Sequence, residues 1–238
     1  MNLSSKAIVL TTIKYNDYDA IIKTYTEQTG FTSFFVKNFY KKRKNGLSKA
    51  LFQPNALLTL QMSFKNKGHL ERIKEAIPIY HYKNIHQDFD KLNIAVFLGE
   101  VLLESLQNEQ ADTQLFHFIQ TNFQKLDTAA LNPNFHLFFL LELSKFLGFF
   151  PDYTSSGSYF DIQNGFFTDK IPLGTHFTIE ESLLLKKLLG MIFASKKEIK
   201  ITPSERKKLI DMLLFYYQHH IVHFKTPKSI KILHQMYE

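Results

Sequence analysis

Leu58-Thr59-Leu60-Gln61-Met62-Ser63-Phe64 alternates apolar and polar side chains without a break. A period of two places Leu58, Leu60, Met62 and Phe64 on one face of a half-buried β-strand. The residues before it have the same character. Lys6 to Tyr15, Ala20 to Thr26 and Phe31 to Val36 are short β-rich runs, separated by Asn16-Asp17 and by Gln28-Thr29-Gly30. After it, Asn66-Lys67-Gly68 turns the chain into a fifth run, His69 to Ala76, in which Leu70 and Ile73 share a face only if a bulge intervenes.

Five short strands within residues 1–80 suit a small barrel or sandwich, and the OB-fold is a partly open barrel of this size. Beyond Pro78 the period changes. Ile85, Phe89, Leu92, Val96 and Leu103 recur at helical spacing, which predicts a long helix over Lys83 to Leu106 with little apolar surface exposed. Further helices are predicted at Asp112 to Leu126, Asn134 to Leu147, Ile179 to Ala194, Ser204 to Phe224 and Thr226 to Met236. Thr202-Pro203-Ser204-Glu205 has the form of a cap followed by proline at the first helical position. Within this helical half, Tyr159 to Ile162 and Phe166 to Thr168 flank Gln163-Asn164-Gly165, and Asn-Gly is the strongest short hairpin signal. The fold class is therefore α+β and multi-domain: a five-stranded barrel over residues 1–80, then a mainly helical domain over 81–238 with a hairpin insertion at about 151–176.

With 238 residues, 45% of them apolar, the chain can bury a substantial core. Residues 1–80 carry 13 Lys+Arg against 5 Asp+Glu, residues 81–185 carry 5 against 13, and residues 186–238 carry 11 against 4. Basic ends and an acidic middle direct attention to polyanions or acidic protein segments. Met1 to Tyr15 has an apolar core of four residues, Ala7 to Leu10, too short for a signal peptide. Phe135 to Phe150 is interrupted by His136, Glu142 and Lys145, so it reads as a buried helix. A cytoplasmic, nucleoid-associated protein with no membrane partner is expected. The absence of cysteine excludes disulfides and thiolate metal sites.

Lys41-Lys42-Arg43-Lys44 lies between the third and fourth predicted strands, just after Phe39-Tyr40. Lys37, Lys49, Lys65 and Lys67 fall in or beside turns of the same sheet. Cations converging there would displace counterions from a phosphate backbone. Phe34 reads as core, while Phe39 and Tyr40 are candidates for stacking on bases, or alternatively for closing one end of the barrel. A second basic region, Arg206, Lys207, Lys208, Lys225, Lys228 and Lys231, interleaves with apolar helical residues and suits a short acidic, apolar peptide.

Enzyme signatures are weak. His219 and His223 share a helical face without the glutamate of an H-E-x-x-H motif, and His220 and His234 complete no recognised set. Asp17 with Asp19, and Asp88 with Asp90, resemble nuclease carboxylate pairs, but both also fit turn and helix-start chemistry. No Gly-rich phosphate loop and no nucleophile elbow is present. A non-enzymatic binding protein is expected, with an RNA-binding OB-fold protein or a metal-dependent nuclease as the alternatives.

The order of these features resembles the bacterial recombination mediator family RecO. Lys6 to Leu10 is similar to its first strand, and Asp19 to Ile22 with Thr24-Tyr25-Thr26 and Gly30 to its second strand and turn. Lys37 to Lys44 is similar to its basic loop, without that loop's glycines. Leu51-Phe52-Gln53-Pro54 matches the segment before its fourth strand, and Leu147-Gly148-Phe149-Phe150-Pro151 the end of the helix before its zinc-binding insertion. Tyr216-Tyr217, His220-Ile221 and Lys228-Ser229 sit where its last helices do. The resemblance implies an N-terminal OB-fold, a helical C-terminal domain, binding to single- and double-stranded DNA, and annealing of complementary strands. It implies RecR and the acidic tail of single-strand binding protein as partners, with RecA loaded indirectly. Many members carry four zinc-binding cysteines after the Gly-Phe-x-Pro element, and this chain has none. No zinc or other cofactor is expected, and Phe160, Ile162, Phe166 and Phe167 of the hairpin are expected to supply the missing cohesion by burial.

Overall fold

The apolar alternation around Leu60 forms the centre of an antiparallel sheet. The computed structural model describes residues 2–41, 47–65, 70–193 and 200–237, with backbone alone at 192–193. Strands β1 (Asn2–Lys14), β2 (Ala20–Thr26), β3 (Gly30–Val36), β4 (Leu57–Ser63) and β5 (Arg72–Pro78) pair in the order β3-β2-β1-β4-β5. Leu58, Leu60 and Met62 are buried with Ala7, Val9, Ile22 and Phe34 in one core cluster, as the alternation requires. β1 begins four residues before its predicted start, because Asn2 to Lys6 pair with Ser63 to Thr59. Its Ala7-Ile8-Val9-Leu10 run is buried on both faces, which explains why it is continuously apolar.

Two irregularities bend this sheet. The β1–β2 register shifts between Val9 and Thr11, where Val9 N–H instead donates to Ala56 O and Val9 O accepts from Asn55 N–H. The β4–β5 register shifts between Gln61 and Met62, which makes Lys74 an extra residue; this bulge lies after Ile73 and not between Leu70 and Ile73, and Leu70 is exposed ahead of the strand. The outer edges meet at one parallel bridge, Phe34 to Glu71, with Phe35 N–H donating to Glu71 O and Glu71 N–H to Ser33 O, each at 2.9 Å. A single bridge is not a ladder, so the barrel remains open along this seam.

The chain forms two compact units, Met1–Ala130 and Leu131–Glu238. The first therefore holds α1 (Phe89–Ser105) and α2 (Thr113–Thr128) together with the sheet. α1 starts six residues later than its spacing predicts, since Asp88 caps it by accepting from Asp90 and Lys91 N–H. The face chosen by that spacing is also the outward one: Phe89, Leu92 and Val96 are exposed, while Ile94, Phe97, Leu98, Val101 and Leu102 are buried. Apolar residues lie on both the buried and the exposed face of this helix, so periodicity has little contrast to act on.

Residues 83–85 are instead wrapped around Asp127. This fully buried carboxylate accepts N–H bonds from Lys83, Asn84 and Ile85 and the hydroxyl of Tyr80, at 2.7 to 3.1 Å. Burial pushes its pKa up, but those bonds outweigh burial and hold it below the usual carboxylate value. A second fastening joins the loop before α2 to the sheet. Tyr25 Oη donates to Gln110 O at 2.9 Å and accepts from Asp112 N–H at 3.1 Å, and burial pushes its pKa up to about 12. Beside it Gly30 adopts φ +66°, and a Cβ there would sit 2.4 Å from Glu109 O, so only glycine fits.

The second unit contains α3 (Phe135–Phe146), α4 (Ile179–Phe193), α5 (Pro203–His220) and α6 (Ile230–Gln235). α5 opens with the expected cap at Thr202 and Pro203 in the first turn, and the cap is a full capping box, Thr202 and Glu205 bonding each other's backbone N–H. It ends at His220, four residues short of expectation, and His223 turns the chain at φ +67°. α6 is likewise shorter than predicted. The Asn164-Gly165 hairpin joins β6 (Tyr159–Asp161) to β7 (Phe166–Thr168), and an unforeseen β8 (His176–Phe177) pairs with the other edge of β6. Phe160, Ile162 and Phe167 are buried as expected, whereas Phe166 is exposed and Phe177 takes the inward role. Phe160 lies 4.9 Å from Phe167, 5.7 Å from Phe177 and 5.6 Å from Tyr216 of α5.

Candidate nucleic-acid interface

The loop after β3 is fastened to the β1–β2 turn by hydrogen bonds that its charged sequence does not advertise. Asn16 Oδ1 accepts from Tyr18 and Asp19 N–H, which closes the turn, and Asn16 Nδ2 donates to Asp19 Oδ2 at 2.8 Å. Asp19 Oδ1 accepts from Asn38 N–H at 2.7 Å, and Tyr18 O accepts from Tyr40 N–H at 2.9 Å. Asn38 adopts φ +58°, a left-handed geometry that asparagine tolerates better than most residues. The Asn38 N–H and the Asn16 amide hold the Asp19 carboxyl below its usual value.

Aromatic rings and ammonium groups alternate along this junction. Lys41 Nζ stands 4.1 Å from the centre of the Tyr18 ring, and Lys49 Nζ stands 5.0 Å from that of Tyr40 while donating to Tyr40 O at 3.2 Å. Tyr15 meets Phe35 edge to face at 5.6 Å. Lys37, Lys41, Lys49 and Lys65 are all exposed. Lys65 is placed by its backbone, whose N–H donates to both oxygens of Glu71 at 3.0 Å. Of the expected DNA-binding residues, Lys42, Arg43, Lys44 and Lys67 lie outside the described residues.

One expected stacking residue is misplaced. Phe39 is buried in the core cluster, 5.8 Å from Phe52 and 5.1 Å from Tyr40, so it closes the barrel end and offers no open face. Tyr40 is half-buried. The outward rings of this region are Tyr15 and Tyr18, which charge patterning does not single out because they lie more than 20 residues before the basic tract. An aromatic on each side of an Asn-Asp turn is the signal that could have found them.

Three of the four carboxylates suggestive of a nuclease have other partners, and the fourth, Asp90, lies in the first turn of α1. Asp17 pairs with Lys14 at 3.3 Å, Asp19 holds Asn38, and Asp88 caps α1. Among the described residues the C-terminal histidines join no group of three or more side chains that could hold a metal. His220 Nε2 bonds Ile162 O at 2.8 Å and its ring stacks on Phe149 at 5.0 Å, while His234 faces Asp211 at 3.0 Å.

In the second basic region Arg206 is buried. Its Nε donates to Asn134 Oδ1 at 2.9 Å and its guanidinium lies 4.8 Å from the Tyr237 ring centre, so it braces the unit from within. Lys225, Lys228 and Lys231 are exposed, and Lys208 is paired with Glu180 at 3.1 Å.

Comparison with known proteins agrees with this architecture. Residues 1–82 match the model for the N-terminal domain of recombination protein O, and residues 86–229 match that for its C-terminal domain. The chain belongs to the RecO family. It is 38% identical to the DNA repair protein RecO of Azobacteroides pseudotrichonymphae, with both chains fully covered. The corresponding proteins of Flavobacterium johnsoniae and Bacteroides fragilis are 36% and 33% identical, covering 100% and 97% of each chain. RecO membership identifies the five-stranded sheet as the family's OB-fold and places the chain among DNA repair and recombination proteins. Among the described residues no helix is long and apolar enough to cross a membrane.

Proposed function

We propose that this chain is a recombination mediator that binds single- and double-stranded DNA through a basic rim that includes Lys37, Lys41, Lys49 and Lys65, with Lys42, Arg43, Lys44 and Lys67, outside the described residues, as further proposed contacts. The alternation of ammonium groups and rings between the β1–β2 turn and Lys49 carries this reading. Closely set cations neutralise the charge of two strands at once, which lets complementary bases approach and anneal. RecR, the acidic tail of single-strand binding protein and, indirectly, RecA are the proposed partners. Lys207, Lys208, Lys225, Lys228 and Lys231 are the proposed contacts for the tail, while buried Arg206 supports that surface without touching the peptide. Annealing makes and breaks no covalent bond, so the proposed role calls for no catalytic residue.

The residues of the hairpin do not fit a zinc ion. The chain has no thiolate, and the inner face that joins the hairpin to α5 is made of Phe160, Phe167, Phe177 and Tyr216. We therefore place this member outside the zinc-binding group, with ring packing as the substitute.

The test is replacement of Lys37, Lys41, Lys42, Arg43, Lys44 and Lys49 by alanine, with DNA affinity measured across a salt series. Affinity should fall, and the slope of log K against log salt should become shallower by about 0.7 to 0.9 for each phosphate that the variant no longer neutralises. Unchanged affinity and slope would refute the proposed rim.

A further inference from the structure

Tyr15 and Tyr18 are 63% and 51% exposed, on a turn held by the Tyr15, Tyr18 and Asp19 N–H groups, which donate to Asp19 O and Asn16 Oδ1, and by Tyr18 O, which accepts from Tyr40 N–H. Large rings left outside on a fixed frame lose little freedom when something stacks on them. The interior cannot serve this purpose, since Phe34, Phe39 and Phe52 fill it. A nucleotide stacked at Tyr18 would also have the Lys41 ammonium, now 4.1 Å from that ring, within reach of its phosphate.

We propose that the β1–β2 turn is a base-stacking platform which gives this chain its preference for unpaired strands, an inference that rests on the DNA binding proposed above. A duplex keeps its bases inside the helix and offers only phosphates to the lysines. An unpaired strand offers phosphates to the lysines and base faces to Tyr15 and Tyr18. The cations thus set affinity for both forms, and the two tyrosines set the difference between them.

The experiment compares three ligands of one length by fluorescence anisotropy: an oligothymidylate, a duplex, and an abasic strand that keeps the phosphates and lacks the bases. The unaltered protein should bind the oligothymidylate at least ~10-fold tighter than the abasic strand. Replacing Tyr15→Ala with Tyr18→Ala should erase that gap while leaving duplex and abasic binding within about twofold. Tyr15→Phe with Tyr18→Phe should preserve the gap, because the rings remain. Equal affinity of the unaltered protein for the oligothymidylate and the abasic strand would overturn the platform and leave the DNA-binding rim standing. So would an equal loss on all three ligands in the alanine variant, which would mark a structural role. Failure of the unaltered protein to bind any of the three would overturn the DNA-binding reading itself.

Discussion

The β1–β2 turn of the first unit and the β6–β7 hairpin of the second use aromatic side chains in opposite ways. In the first, a polar framework centred on Asn16, Asp19 and Asn38 fixes the β1–β2 turn, and its rings point to solvent. In the second, the β6–β7 hairpin turns Phe160 and Phe167 inward, and ring packing holds it against α5. A ring is free to meet a ligand only where something else secures the backbone. Deeper in, the first unit is tied by the carboxylate of Asp127, while the second is braced by buried Arg206 and encloses His136, its ring stacked on Tyr237.

The strongest way to break this contrast is Phe160→Ala. The side chain is fully buried among three other rings, so its loss should cost about 3 to 5 kcal/mol in urea unfolding followed by a probe in the second unit. A chelator should leave the same midpoint unmoved in the unaltered protein. A cost below about 1 kcal/mol, or a clear shift with chelator, would mean that packing does not secure the hairpin.

Mild acid should divide the two units. Burial, with a further push from Arg206, drives His136 down to about 3, well below the 6.5 of an unperturbed histidine. Between those values the unfolded chain binds a proton that the folded chain refuses, so stability is lost as pH falls from about 6.5, by roughly 2 kcal/mol at pH 5. His220, also lowered by burial, acts in the same direction. Asp127 and Asp19 have lowered values, so what they contribute persists at pH 5 and is lost only below the ordinary carboxylate range. Hydrogen exchange, corrected for intrinsic rates and followed by peptide, should show the second unit weakening first between pH 7 and 5. Loss of protection in the first unit at the higher pH would reverse the assignment.

The smallest effect is expected for Tyr18→Ala. An exposed ring with one ammonium neighbour should contribute less than about 1 kcal/mol to unfolding. A loss as large as that of Phe160→Ala would show that the ring supports the turn rather than standing free on it.

Much of this fold is legible in alternation. Leu58 to Ser63 reveals a strand because one face is drier than the other, although Phe64 falls just outside it and is half-buried, and the cap at Thr202 is local chemistry that needs no tertiary context. α1 is misplaced by its spacing where that contrast vanishes, since an apolar helix offers several stripes and the deciding partner, Asp127, lies some 40 residues downstream. The candidate site is legible as charge but not as geometry. Lys37, Lys41 and Lys49 are exposed as expected, yet Phe39 turns inward, and the outward rings are Tyr15 and Tyr18. Their place beside the lysines depends on bonds that Asn38 N–H donates to Asp19 Oδ1 and Tyr40 N–H to Tyr18 O, pairings between distant residues that no local pattern announces.

The fastenings of Tyr25 and Gly30 bear on how the chain can be cut. Phe31 N–H donates to Glu109 O, and Tyr25 Oη bonds Gln110 and Asp112, all beyond the last strand of the sheet. A fragment ending at residue 82 would strip a buried hydroxyl of both partners and remove Asp127 from beneath Tyr80. Ending the fragment at residue 130 keeps every one of these bonds. The smallest piece that preserves the environment of this barrel is therefore longer than the barrel itself.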